Sequence, residues 1–156
     1  MMKPSTFRSP GLLCVAAILA GGSSLAARAD AAIPDPCKLI TVTEMQQIVG
    51  PLDGTPQRTD PSDGEVNCSY TPAKGPSFID ISLVEGDLAD LRRRAAHKNA
   101  ISLPDFGKDA FVNPNFHDFA DMYAKKGNLI LRVTLPMGPT AVDTAQAIAK
   151  KALTRL

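Results

Sequence analysis

One stretch, residues 37–50, constrains this chain most, because it joins a cysteine to a helix whose two ends are both specified. Thr41 with Glu44 three positions later matches a capping box, in which two side chains accept hydrogen bonds from backbone amides at the helix start. Gly50 followed by Pro51 is a typical helix end. The sequence therefore predicts a short helix between these signals, anchored covalently if the cysteine has a partner.

The N-terminus has the pattern of a cleaved export signal. Basic residues precede an apolar run, residues 12–20, and residues 27–29 form a small-x-small cleavage site. The run is roughly half of what a bilayer-spanning helix needs. Cys14 lies inside it, after two leucines, so we expect no lipid attachment. We predict a signal peptide over 1–29 and a single exported domain over 30–156, periplasmic or secreted, with no transmembrane segment; an uncleaved anchor is the alternative.

The charge of the mature chain argues against nucleic-acid binding. Removing the signal takes away three basic residues and no acidic one, so the formal net charge falls from +1 to −2. Such a chain lacks the basic face that neutralises phosphates. With no tryptophan and two tyrosines, it also offers few surfaces for stacking bases or sugars. We expect no nucleic-acid partner.

Two cysteines, Cys37 and Cys68, remain in the mature chain. An even pair in an exported protein predicts a disulfide; two independent thiols, or a metal pair with other ligands, are the alternatives. Closing a loop of about thirty residues would contribute roughly 3 to 4 kcal/mol in the chain-entropy model. The spacing differs from the Cys-x-x-Cys pattern of redox-active pairs, so we interpret the bond as structural.

Alternation of apolar and polar residues predicts most of the sheet, with one face buried and the other exposed to solvent. Two further helices are expected after Asp87 and Thr140, and a polar loop over residues 113–118. The predicted strands span residues 55–59, 67–71, 77–84, 110–112, 119–126 and 129–135. This order predicts an α+β fold: an antiparallel meander sheet of about five to six strands packed against two to three helices.

Short motifs spread over nearly all of the mature chain add a resemblance. They are Asp-Pro-Cys-Lys-Leu-Ile-Thr at 35–41 with Glu44 and Gly50, Cys-Ser-Tyr at 68–70, residues 103–111, the strand after Gly127-Asn128 and the Ala-rich last helix. This pattern resembles a broad group of secreted bacterial proteins and lipoproteins of unknown function, similar in style to extracellular sensor domains of some membrane kinases. The resemblance implies a Cys37–Cys68 disulfide, an α+β fold and an envelope location, and brings no catalytic residues. The chain departs from the lipoproteins by lacking a suitable lipid-attachment cysteine.

Three consecutive arginines, Arg92, Arg93 and Arg94, are candidates for contact with an anionic partner such as a lipid headgroup, a cell-wall carboxylate or an acidic protein surface. Successive helix residues point about 100° apart, so the three cannot form one tight clamp. We favour the other interpretation, a solvent-exposed helix face with an ion pair between Asp90 and Arg94.

A second group supplies nitrogen and oxygen ligand types: His117, Asp118 and Asp121, preceded by Asp105 and Asp109. Their spacing matches no known metal motif. We therefore interpret them as exposed acids in loops and expect no metal and no cofactor.

Nucleophilic catalysis finds little support. No serine lies in a Gly-x-Ser-x-Gly motif, and the candidate bases are His97 and His117. Catalysis by a pair of carboxylates is an alternative that the sequence does not test, because the distance between the two groups is set by the fold. We predict no catalytic residue and no enzyme.

Together these patterns favour a non-catalytic exported domain that binds an envelope protein or a small ligand, through one face of its sheet or the loops at its end. A small secreted hydrolase or metal-dependent enzyme, built from distant carboxylates and His117, is one alternative. An inhibitor of an envelope enzyme is another.

Overall fold

A computed structural model describes residues 33–60, 64–95, 99–116 and 118–156 of the chain. The predicted signal peptide, Cys14 and both histidines lie outside these ranges, so the predictions made for them stay predictions.

Three α-helices and seven strands lie within the described ranges. The helices are α1 (Val42–Val49), α2 (Leu88–Ala95) and α3 (Ala141–Leu153). The strands are β1 (Gln57–Thr59), β2 (Val66–Tyr70), β3 (Ile79–Glu85), β4 (Ile101–Ser102), β5 (Phe111–Phe116), β6 (Phe119–Lys126) and β7 (Leu129–Pro136). Of the helices described, none has the length and apolar character needed to cross a membrane.

All seven strands form one antiparallel sheet in the order β1-β2-β3-β7-β6-β5-β4. The predicted α+β class with an antiparallel sheet is confirmed, but the expected count of five to six strands is wrong. The additional strand is β4, whose two residues are too few to show alternation. The sheet is also not one continuous meander, because β3 pairs with β7 and so joins two meanders.

Strand β5 extends further than predicted, so the polar loop expected over residues 113–118 is wrong. Pro114 fits inside the strand because β4 pairs with residues 111 and 112 alone, and a proline is tolerated where a strand has an edge. The register with β6 becomes irregular after Asn113.

Helix α1 begins and ends where the sequence predicts. The Thr41 hydroxyl accepts a hydrogen bond from the Glu44 amide at 3.2 Å, and the Glu44 carboxylate accepts one from the Thr41 amide at 3.0 Å. Gly50 follows the last helical residue with a φ of 85°, a conformation that glycine adopts without strain.

One face of the sheet, called the apolar face, packs against α1 and α3. Helix α3 brings alanines and Ile148 against it, and these small side chains allow a close approach. The buried strand residues on this face include Cys68, Tyr70, Ile79, Ile81, Leu83, Met122, Leu131 and Val133.

The segment before α1 is attached to β2. The sulfur atoms of Cys37 and Cys68 lie 2.01 Å apart, at disulfide-bonding distance. Nearby, the buried Tyr70 hydroxyl donates a hydrogen bond to the Ile40 carbonyl at 3.0 Å. Burial, and to a lesser degree the charge of Asp35, raises the pKa of Tyr70 to about 12, so the hydroxyl keeps its proton.

Candidate functional site

The opposite face of the sheet carries two adjacent rows of largely polar side chains, together called the polar face. Residues directly opposite each other in an antiparallel pair point to the same side, so the register of the strands defines each row. The first, called the acceptor row, consists of Ser69, Asp80, Thr134, Asp121 and Asn113. The second row consists of Asn67, Ser82, Arg132, Tyr123 and Phe111.

Asp121 lies at the centre of the polar face and is 1% exposed. Its Oδ1 accepts hydrogen bonds from the Arg132 Nε at 3.0 Å and from the Thr134 hydroxyl at 2.6 Å. Arg132 also lies 3.9 Å from a Glu65 carboxylate oxygen and over the ring of Tyr123. One oxygen of Asp121 is thus held by the neighbouring strand.

The electrostatics around this pair keep both neighbours in their usual protonation states. Burial, reinforced by the charge of Asp121, raises the pKa of Tyr123 to about 12. Burial disfavours the charged form of Arg132 and by itself would lower its pKa. Interactions with Tyr123, Asp121 and Glu65 outweigh this effect, so the pKa of the guanidinium is raised. The arginine therefore stays charged and the tyrosine stays neutral.

Three buried oxygens on this face have no hydrogen-bond partner within the part of the chain that the structure describes. They are Asp80 Oδ1, Asp121 Oδ2 and Asn113 Oδ1, and all three belong to the acceptor row. Asn113 is 4% exposed and lies directly opposite Asp121. A buried acceptor without a donor costs about 1 to 3 kcal/mol, so native proteins normally supply one from water or a ligand.

Apolar side chains border the polar face at both ends of its strands. At the second row, Leu88 of α2 packs with Phe111 of that row and with Ile130 beyond it. Beyond the acceptor row, the half-buried rings of Phe78 and Phe119 lie 5.5 Å apart between centroids. The unpaired oxygens therefore lie between two hydrophobic borders, where hydrogen bonds gain strength from exclusion of water.

A separate cleft of about 500 Å³ lies at one end of the sheet, between residues 75–77 and the start of α3. Its lining includes Leu135, Pro136 and Met137 and no charged side chain. It has none of the unpaired oxygens, so the polar face is the stronger candidate.

The three arginines considered as candidates for anion contact have separate partners. Arg92 donates hydrogen bonds to the Lys108 carbonyl at 3.2 Å and to the Ser102 hydroxyl. Asp90 pairs with Arg93 at i+3 and not with Arg94 at i+4 as expected; both positions lie on the same side of a helix as Asp90. Contact of these arginines with an anion remains a prediction.

The acids considered as metal ligands are also separated. Asp118 is exposed in the turn between β5 and β6. The expectation that Asp121 is an exposed loop acid is wrong, because it lies inside β6 and faces Arg132. Across the residues described, no three or more His, Cys, Asp or Glu side chains gather closely enough to hold a metal ion.

The sequence does contain a signal that Asp121 lies beside Thr134 and Arg132, although the alternation of polar and apolar residues does not reveal it. The two-residue connection Gly127-Asn128 sets the register of the β6–β7 hairpin. Counting outward from it places Asp121 opposite Thr134 and Tyr123 opposite Arg132, as the structure has them.

Comparisons with known proteins add little. No known protein family matches the chain, and no curated protein is significantly similar to it. A crystal structure described as a GTP binding regulator from Thermotoga maritima aligns over 76% of this chain and 91% of its own, with 8% sequence identity and a TM-score of 0.37. A similarity this low supports no functional inference, so the function proposed below rests on the geometry of the polar face.

Proposed function

We propose that this chain is a non-catalytic binding module of the cell envelope, periplasmic or secreted, and that its polar face receives a small ligand. The observation that carries the proposal is the acceptor row, where three buried oxygens lack a donor among the described residues. A sheet face with a purely structural role would hold apolar side chains or fully paired polar groups. A ligand that donates hydrogen bonds would recover the free energy that these oxygens cost.

Two hydroxyl groups of the polar face, those of Ser82 and Thr134, favour recognition over catalysis. The Ser82 hydroxyl donates to the Asn67 side-chain oxygen at 3.1 Å, and a neutral amide cannot take up its proton as a general base would. The Thr134 hydroxyl donates to Asp121, which is itself held by Arg132. Both hydroxyls therefore serve the hydrogen-bond network of the sheet.

Two observations support export. The first 29 residues have the charge and apolar pattern of a signal peptide. Cys37 and Cys68 lie at disulfide-bonding distance, and disulfides persist in oxidising compartments.

Native mass spectrometry of the protein from its exported fraction tests the proposal. The protein is dialysed against a deproteinised extract of that fraction and measured before and after denaturation. We expect a chain that begins near Asp30 and carries a non-covalent mass, which denaturation removes.

Two variants assign that mass to the polar face. Asn113→Leu replaces an unpaired acceptor by an apolar side chain with the same branching and the same number of heavy atoms, and it should lose the mass. Gln46→Leu, an exposed position on α1, should keep it. A wild-type protein without the mass, or an Asn113→Leu protein that retains it, would contradict the proposed site; a full-length chain in the cytoplasm would contradict export.

A further inference from the structure

We propose that the ligand of the polar face is a small organic cation with at least two N–H donors, for which an aliphatic diamine is the simplest example. The inference rests on the proposed function and specifies the chemistry of the same site.

The unpaired atoms require a ligand that donates hydrogen bonds. Among the described residues, the buried side-chain atoms without a partner are all oxygens: two belong to carboxylates, Asp80 and Asp121, and one to the amide of Asn113. Asn113 and Asp121 are each more than nine-tenths buried. An anion would place further acceptors against this row, so its binding is disfavoured.

The charges on and beside the polar face favour a cation over a neutral donor. Asp80, Asp121 and Glu65 are carboxylates, and Arg132 is paired with two of them. Two further cations on this side of the sheet have other acceptors: Lys125 donates to the Gly86 carbonyl, and Arg92 donates to the Lys108 carbonyl and the Ser102 hydroxyl. Arg132 is already directed at Asp121 and Glu65, and within the described ranges no cationic side chain forms an ion pair with Asp80. An ammonium group would make charge-assisted hydrogen bonds here, which are roughly twice as strong as neutral ones.

The spacing of the strands that carry these oxygens favours two donors on one ligand. Asn113 and Asp121 lie on neighbouring strands, about 5 Å apart, and Asp80 lies two strands from Asp121, roughly 10 Å away. A ligand lying across the strands therefore meets successive acceptors. The rings of Phe78 and Phe119 border this path and would contact its methylene groups.

Calorimetric titration of the mature exported chain with three compounds of the same length tests this chemistry. The compounds are 1,4-diaminobutane, butane-1,4-diol and succinate, which share a four-carbon skeleton and differ in charge. We expect the diamine to bind, the diol to bind at least about tenfold more weakly, and succinate to give no heat of binding.

Two matched substitutions place the binding on the acceptor row. Asp80→Asn removes one charge with little change in shape and should weaken diamine binding about tenfold or more. Asp53→Asn makes the same change at an exposed position away from the sheet face and should leave the affinity unchanged.

Every other outcome of these titrations refutes a specific part of the proposal. Equal binding of diamine and diol, or binding of succinate, would refute the cation while leaving a ligand face in place. Equal weakening by Asp80→Asn and Asp53→Asn would refute the acceptor row as the location. If no compound binds while the native spectrum still shows a retained mass, the amine is refuted and the proposed function stands; if both fail, water fills the row and both proposals fall.

Discussion

Ile81 and Ser82 are neighbours in β3, yet they belong to opposite faces of one sheet. Ile81 is fully buried in the apolar core, and Ser82 is 4% exposed on the polar face. The two faces are thus both shielded from water at their centres, although alternation predicts that one of them is exposed. The two faces differ in the kind of side chain that they bury, apolar on one and polar on the other.

The two faces differ in what their burial contributes to the free energy of unfolding. Burying apolar area contributes roughly 25 cal/mol per Å², so the apolar face drives folding. Burying polar groups is tolerated when each has a partner, and the acceptor row leaves Asp80, Asp121 and Asn113 each with an oxygen unpaired. These unpaired oxygens lower stability, and a functional requirement is expected where such a cost is retained at the centre of a fold.

The largest difference between the faces should appear at their adjacent residues. Ile81→Ala should lower the free energy of unfolding by about 2 to 5 kcal/mol, because it leaves a cavity in the core. Ser82→Ala should cost about 1 kcal/mol, the worth of its hydrogen bond to Asn67. Urea unfolding of both variants measures the two values, and equal losses would erase the distinction.

The Cys37–Cys68 pair, which attaches the N-terminal segment to β2, lies on the apolar face. Cys68→Ala should lower stability by about 3 kcal/mol, because the loop of 31 residues is no longer closed in the unfolded chain. Thermal unfolding with and without a reducing agent checks this: reduction should lower the melting temperature of the wild type and leave the variant unchanged. A wild type indifferent to reduction would contradict the bond.

The ion pair of the polar face should contribute less. Asp121→Asn keeps the shape but removes the charge that faces Arg132, and we expect a loss of about 1 to 3 kcal/mol in urea unfolding. Asp118→Asn is the matched control, since Asp118 is exposed and has a φ of 66°, which asparagine also tolerates. A loss at position 118 as large as that at 121 would contradict the buried pair.

The smallest effect concerns pH and lies outside the polar face. Hydrogen bonds from Arg155, and then from the Thr41 backbone, lower the pKa of Glu44 from about 4.5 to about 2. A lowered pKa in the folded state stabilises the fold above pH 4.5, and this contribution is lost as the pH falls toward 2. Urea unfolding between pH 5 and pH 2 should therefore show a shallower decline for Glu44→Gln than for the wild type.

Arg155→Gln should flatten the same acid limb, because it removes the main cause of the shift. Gln46→Leu, at an exposed position of α1 that carries no titratable group, serves as the control and should keep the wild-type slope. An unaltered slope in Glu44→Gln would show that another carboxylate governs acid unfolding.

Local signals explain which parts of the fold were predictable. Thr41, Glu44 and Gly50 act within one helix, and the Gly127-Asn128 hairpin joins strands next to each other in sequence. The pairing of β3 with β7 joins residues about fifty positions apart, and no local pattern encodes it. The contact of Glu44 with Arg155 is non-local for the same reason.

The candidate site was harder to predict than the fold because polar residues in strands give an ambiguous signal. Asp80 and Ser82 fit a solvent-exposed face, and alternation cannot distinguish such a face from one that is shielded. Asn113 precedes a proline, so its segment resembles a loop. Burial of these residues depends on the neighbouring strands, which the full topology alone reveals.

The central claim is that the acceptor row is kept for a ligand and not for folding, and one measurement tests it most directly. It is the free energy of unfolding of Asn113→Leu relative to the wild type, by urea titration of the ligand-free proteins. Leucine keeps the branched shape and the number of side-chain heavy atoms of asparagine and removes an unpaired buried oxygen, so we expect the variant to be more stable by about 1 kcal/mol. A variant less stable than the wild type by that amount or more would mean that Asn113 has a partner in the folded chain, and would contradict the account.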